Sequence, residues 1–202
     1  MGHVVILRGP SGSGKSFVGH AFAERFPHDE VFEDGWNLIK PRLIGYRLPG
    51  NFYCLGSYRP AGGGLDTLSP DDRSKHFDLI KRYAVKGYVF AEALVLSTMV
   101  PKLLALGAEL GPESISFPTM DTPSDLCVKQ IYQRNGGKPI KEANVHGHRK
   151  SVDNGTKRLR DAGFSAPDID HTHSFEQVVE IFRSVGWRPE EDSTTFSVAA
   201  VR

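Results

Sequence analysis

The sequence predicts an α/β fold with a mostly parallel central sheet and helices on both faces. Three observations carry this expectation. Strand and helix signals alternate along the chain. The apolar run HVVILR passes directly into GPSGSGKS at residues 9–16, and a helical pattern follows. Later helices are punctuated by prolines at their starts and glycines at their ends. The 202 residues suffice for one full core, expected over residues 1–186, with a tail over 187–202. No apolar stretch approaches the ~20 residues of a membrane span, and the N-terminus shows no signal-peptide succession. The expectation is a cytoplasmic protein with no membrane partner.

The first strand is expected over residues 3–8. A helix starts near Lys15, with Phe17, Val18, Ala21 and Phe22 at helical spacing. A short strand, EVFED, follows. The stretch RLIGYRLPGNFYCLGSYRP reads as two extended segments around a Leu-Pro-Gly-Asn turn, and PAGGGLD as a flexible loop. The next helix takes Ser69 as N-cap, Pro70 in its first turn and Gly87 as its stop. YVFAEA is a buried strand. Residues 97–110 form a helix with Met99, Val100, Leu103 and Leu104 on one face, and SISFPTMD is a strand. In DTPSDLCVKQIYQRNGG, Thr122 is the expected cap, with Cys127, Val128, Ile131 and Tyr132 as the apolar stripe. Residues 138–150 read as a loop, and a helix is expected around 152–162. The last helix opens on the capping box Ser174-x-x-Gln177.

The stretch at residues 9–16 fits G-x-x-x-x-G-K-[ST] through Gly9, Gly14, Lys15 and Ser16. Successive backbone amides in such a loop form a nest for phosphate oxygens, and the following helix adds its positive end. Lys15 reaches the β- and γ-phosphates, and the Ser16 hydroxyl ligates Mg²⁺. The strand before and the helix after supply the required context, which makes this a P-loop NTPase fold. Gly9, Ser11, Gly12, Ser13, Gly14, Lys15, Ser16 and Phe17 are the expected contacts to the phosphates of ATP. An Asn-Lys-x-Asp guanine reader is absent from the sequence, which argues against the common GTPases. YVFAEA offers Glu92 alone, which argues against motor and helicase ATPases.

Net charge is +1, yet residues 134–160 hold eight basic residues against two acids. Cys54 and Cys127 match no metal or redox spacing and are expected as reduced core residues. DIDHT at 168–172 has the D-x-D-x-T core of haloacid-dehalogenase phosphatases, but too little chain follows it. The HGH at 146–148 and HTH at 171–173 read as loop histidines rather than metal ligands.

A compact chain with GPSGSGKS, an acid after the second strand in VFEDG, DTPSDLCVKQIYQR leading into a basic segment, and DIDHTHSFEQVVEIF near its end resembles the P-loop kinases. The resemblance implies a mobile basic lid at about 134–150, and a loop before the last helix that helps hold adenine. Asp34 is then the acceptor base and Arg134 the lid arginine, with Lys138, Lys141 and Arg149 as competitors. Glu92 assists Mg²⁺ or substrate through water. The stretch YCLGSYRPAGGGLDTLS is similar to a segment of phage kinases that phosphorylate 5-hydroxymethyluracil in DNA. That similarity makes the acceptor a hydroxyl of DNA or a nucleotide, and the location a host cytoplasm. On the residues themselves, Asp66 binds or activates a hydroxyl, while Tyr53 and Tyr58 stack on a base. Two other readings stay open: a small-metabolite or nucleoside kinase, and a nucleotide-binding regulator without turnover.

Overall fold

The structure, a computed structural model, describes residues 2–34, 41–59, 63–68 and 74–189. Strand β1 (Val4–Leu7) is buried at every residue. Such a uniformly apolar run belongs in the middle of a parallel sheet covered on both faces. It pairs in parallel with β5 (Tyr88–Glu92) on one side and with β6 (Ile115–Ser116) on the other. Strand β4 (Phe52–Leu55) pairs in parallel with β5. Strands β2 (Asp29–Glu33) and β3 (Arg42–Leu48) complete the order β2-β3-β4-β5-β1-β6 by antiparallel pairing. A separate parallel pair, β7 (Thr119–Met120) with β8 (Asp168–Ile169), joins β1 through an isolated bridge from Arg8 to Thr119.

The period of two along β1 divides the core. Val4 and Ile6 join the cluster formed with α2 (Ser74–Ala84), α3 (Leu94–Thr98) and α4 (Val100–Leu110). Val5 and Leu7 join the opposite cluster, built with α1 (Lys15–Arg25) and α7 (Ser174–Ser184). Cys54 and Cys127 are buried and free. No helix among the described residues is long and apolar enough to cross a membrane.

Several expectations are corrected. The segment over 138–150 is mostly helical: α5 (Ser124–Arg134) ends in the Gly136–Gly137 turn, and α6 runs unbroken over Glu142–Asp161. Gly147, Gly155 and two asparagines mask its helical signal, yet Val145, Val152, Gly155, Thr156 and Leu159 form a buried stripe. The helix expected over 97–110 is two helices, broken at Met99, with Pro101 in the first turn of the second. SISFPTMD is two short strands separated around Pro118. Thr122 caps nothing; its hydroxyl donates to the Ser13 carbonyl at 2.7 Å. Ser174 is the first residue of α7, and Gln177 Oε1 instead accepts from the Asp170 amide at 3.2 Å. The Ser69 cap and Pro70 lie outside the described residues.

The boundary expected at residue 186 cuts off a core residue. Trp187 is fully buried, lies 4.5 Å from the Phe52 ring centroid, and donates its indole N–H to the Pro49 carbonyl at 3.0 Å. Trp187→Ala is expected to cost about 4 kcal/mol, the usual range for deleting a buried large aromatic. Thermal unfolding should then shift down by roughly 10 °C in a chain of this size.

Candidate active site

The phosphate loop leaves β1 at Gly9 and enters α1 at Lys15. Gly12 and Gly14 hold φ of 75° and 92°, a region that favours glycine. A Cβ at Gly12 would also lie 2.4 Å from the Cys127 carbonyl oxygen, so α5 packs directly on the loop. Thr122 braces the same turn from β7's side through its bond to Ser13. The Lys15 ammonium is buried and donates to the Gly9 and Pro10 carbonyls, both at 2.9 Å. Burial lowers its pKa, and the Glu92 and Asp66 carboxylates oppose that shift.

Glu92 ends β5, beside Leu7 at the end of β1. Its Oε1 accepts from the Ser16 hydroxyl at 2.9 Å. Burial raises its pKa, and Lys15 followed by the Ser16 hydrogen bond counter the rise. Gly63 and Gly64, after β4, lie against this pair. A Cβ at Gly63 would fall 2.4 Å from Ser16 Oγ, and one at Gly64 would fall 2.2 Å from Glu92 Oε1. Glycines are needed there because the loop's backbone touches the site. Asp66 follows, and its Oδ2 accepts from the Leu94 amide at 2.6 Å.

These groups line one cavity of about 430 Å³. Residues 11–17 form one wall; Gly63, Asp66, Thr67, Glu92 and Leu94 form another; Gln130 and Arg134 of α5 form a third. The phosphate loop, Glu92, Asp66 and Arg134 are therefore brought together. Phe17 stands at the rim, 60% exposed.

Other expected residues lie elsewhere. Asp34 is exposed and is not among the residues lining this cavity. The reason is topological. Ligands bind at the carboxyl ends of strands near the centre of an open α/β sheet. Asp34 follows β2, which is four strand spacings from β1, about 19 Å. Asp66 follows β4, only two spacings away, about 10 Å. Tyr58 is buried, not open to a base: its ring fills the space beside Gly19 of α1, and its hydroxyl donates to the Leu55 carbonyl at 3.3 Å. Tyr53 is buried too, 4.8 Å from the Tyr83 ring. Arg149 is a strut, donating to the Met120 carbonyl at 2.8 Å and to the Thr122 carbonyl. Asp170 of DIDHT accepts from the Thr172 amide and hydroxyl, which draw its pKa down to about 2, as a turn-forming aspartate should.

Sequence reading missed Thr67, Leu94, Gln130 and Thr122. A signal existed for Gln130 alone: it stands four residues before Arg134, on the same face of α5.

A phosphate loop at the end of a central parallel strand, with its lysine, hydroxyl and facing carboxylate in one cavity, defines a P-loop phosphotransferase. No family model matches the chain. The chain is 30% identical over 196 residues to a 5-hmdU DNA kinase of Pseudomonas phage M6, covering 89% of this chain and 97% of the relative. It is 27% identical over 191 residues to a 5-hmdU DNA kinase of Pseudomonas phage PaMx11, covering 90% and 97%. The chain belongs to the 5-hmdU DNA kinase family, and it is a kinase. A gluconokinase from Sinorhizobium meliloti 1021 shares the fold, with a TM-score of 0.50 and 16% identity over 94% of each chain.

Proposed function

We propose that the chain transfers the γ-phosphoryl group of ATP to the hydroxymethyl oxygen of 5-hydroxymethyluracil in DNA. The observation that carries this reading is the meeting of Lys15, Ser16, Glu92 and Asp66 in one cavity, in a chain whose relatives bear the name 5-hmdU DNA kinase. The residues fit both cofactors. The glycine-rich turn and the α1 N-terminus suit a polyphosphate. The Ser16 hydroxyl beside the Glu92 carboxylate offers oxygen donors suited to a hard divalent cation such as Mg²⁺, which would supply neutralisation of phosphate charge there.

Lys15 exchanges its two loop carbonyls for phosphate oxygens. Asp66 takes the proton from the acceptor hydroxyl as the new O–P bond forms and the bond to the β-phosphate breaks. The Leu94 amide holds one Asp66 oxygen and leaves the other for that proton. Arg134 offsets charge on the transferring group. In this reading Asp66 takes the base role expected of Asp34, and Asp34 has no part at the cavity. Lys15 and Glu92, at the cavity floor, are 6% and 2% exposed. A stacked base cannot carry its hydroxymethyl group that deep, so in this reading the base leaves the helix. The site of action is the host cytoplasm, in keeping with the phage origin of the relatives.

The test follows labelled γ-phosphate from ATP into single-stranded and duplex DNA bearing 5-hydroxymethyluracil, unmodified DNA and the free nucleoside. Label is expected in the modified DNA alone, faster in a mismatched duplex than in a matched one. Label in the free nucleoside alone would overturn the DNA acceptor.

A further inference from the structure

We propose that Arg8, the residue before the phosphate loop, is a positioning residue for phosphoryl transfer: its buried guanidinium fastens α3 and α6 to the end of β1 and so sets the shape of the loop. The side chain is fully buried at the end of an otherwise aliphatic strand. Its Nη1 donates to Thr156 Oγ1 at 2.7 Å, and its Nη2 donates to the Ser97 carbonyl at 2.9 Å and the Val152 carbonyl at 3.2 Å.

The Ser97 carbonyl has a specific need for this donor. In a continuous helix it would accept from the amide four residues on, but that residue is Pro101, which has no N–H. Arg8 supplies the missing hydrogen bond. Ser97 also receives the other end of the arrangement, since its hydroxyl accepts from the Gly9 amide, the first amide of the phosphate loop, at 3.1 Å. Room for the guanidinium comes from Gly155 of α6, where a Cβ would lie 2.5 Å from Nη2. One cation thus joins the loop's first residue, the helix that follows Glu92, and the helix that carries Arg149.

Among the described residues, no carboxylate accepts a hydrogen bond from the Arg8 guanidinium. Burial draws its pKa down to about 10, and the field of Asp153 only partly opposes this. A buried charge without a carboxylate partner is costly, and a well-packed apolar residue generally holds a sheet more cheaply. Adhesion alone therefore does not account for Arg8. Directed donors to two helices do, because Glu92 and the phosphate loop must be held to within fractions of an ångström for in-line transfer.

The inference rests on ATP as phosphodonor and not on the DNA acceptor. Its test compares Arg8→Met and Arg8→Lys with the wild type in transfer to 5-hydroxymethyluracil DNA, acceptor-free ATP hydrolysis and thermal midpoint. Arg8→Met is expected to lower kcat about 100-fold in both reactions, while KM for ATP stays within about threefold. Arg8→Lys should recover part of kcat, because an ammonium can serve some of the three acceptors. If folded Arg8→Met keeps wild-type kcat, or Arg8→Lys recovers stability without recovering kcat, Arg8 is a structural residue and the proposal fails. Where Arg8→Met does not fold, Thr156→Val removes one acceptor and keeps the cation; unchanged kcat in that variant equally overturns the proposal. Absence of transfer by the wild type overturns the acceptor reading, and the hydrolysis rates still decide the role of Arg8.

Discussion

Lys15→Ala is expected to lower kcat/KM for phosphoryl transfer by about a thousandfold, roughly 4 kcal/mol of transition-state stabilisation. The ammonium is held by two loop carbonyls at 2.9 Å, in a buried site that already excludes much water. Such a preorganised charge acts on the transferring group without reorganising at the moment of reaction. The fold should survive, because the substitution removes a buried cation whose desolvation is unfavourable and whose partners are carbonyls of its own loop. Circular dichroism checks the fold, and labelled phosphate transfer checks the rate. A folded variant with near wild-type transfer would remove the phosphate loop from the mechanism.

Asp66→Asn should lower kcat by roughly 10³-fold with little change in the acceptor KM, within the range for loss of a general base. Asparagine keeps the shape and can still accept from the Leu94 amide, so the loop after β4 is undisturbed. It cannot take the proton. Asp34→Asn should leave kcat within about twofold, because surface substitutions away from a site change little. Steady-state kinetics of both variants with the true acceptor decide the matter. A large loss at Asp34 and none at Asp66 would mean that the chain from β2 folds over the cavity, against the strand order.

The contest between these two aspartates shows how far the sequence can be read. The rule that ligands gather at carboxyl ends of strands was sound. Applying it needs the strand order, and the sequence shows β2 only as the second strand in chain order. It is the outer member of an antiparallel hairpin pair, and β4 is the strand that stands beside β5. The β4–β5 pairing joins residues far apart in the chain, and no local pattern encodes which neighbour a strand selects.

What the sequence determined by itself was the chemistry made within a few consecutive residues. The phosphate loop is legible because its ligands are backbone amides, one lysine and one hydroxyl in a fixed strand–loop–helix context. The glycines at 63 and 64 were legible as part of a flexible loop, though not as backbone lying against Ser16 and Glu92. Tertiary structure alone decided which acid joins Lys15, which aromatics are buried, and that Arg149 is a strut. It also decided that residues 138–150 are mostly helix: Gly147 and Gly155 weaken α6 locally, but Val145, Val152 and Leu159 are buried along it and Gly155 admits Arg8. Local propensity registers the cost of such a glycine; only packing supplies the compensating contact.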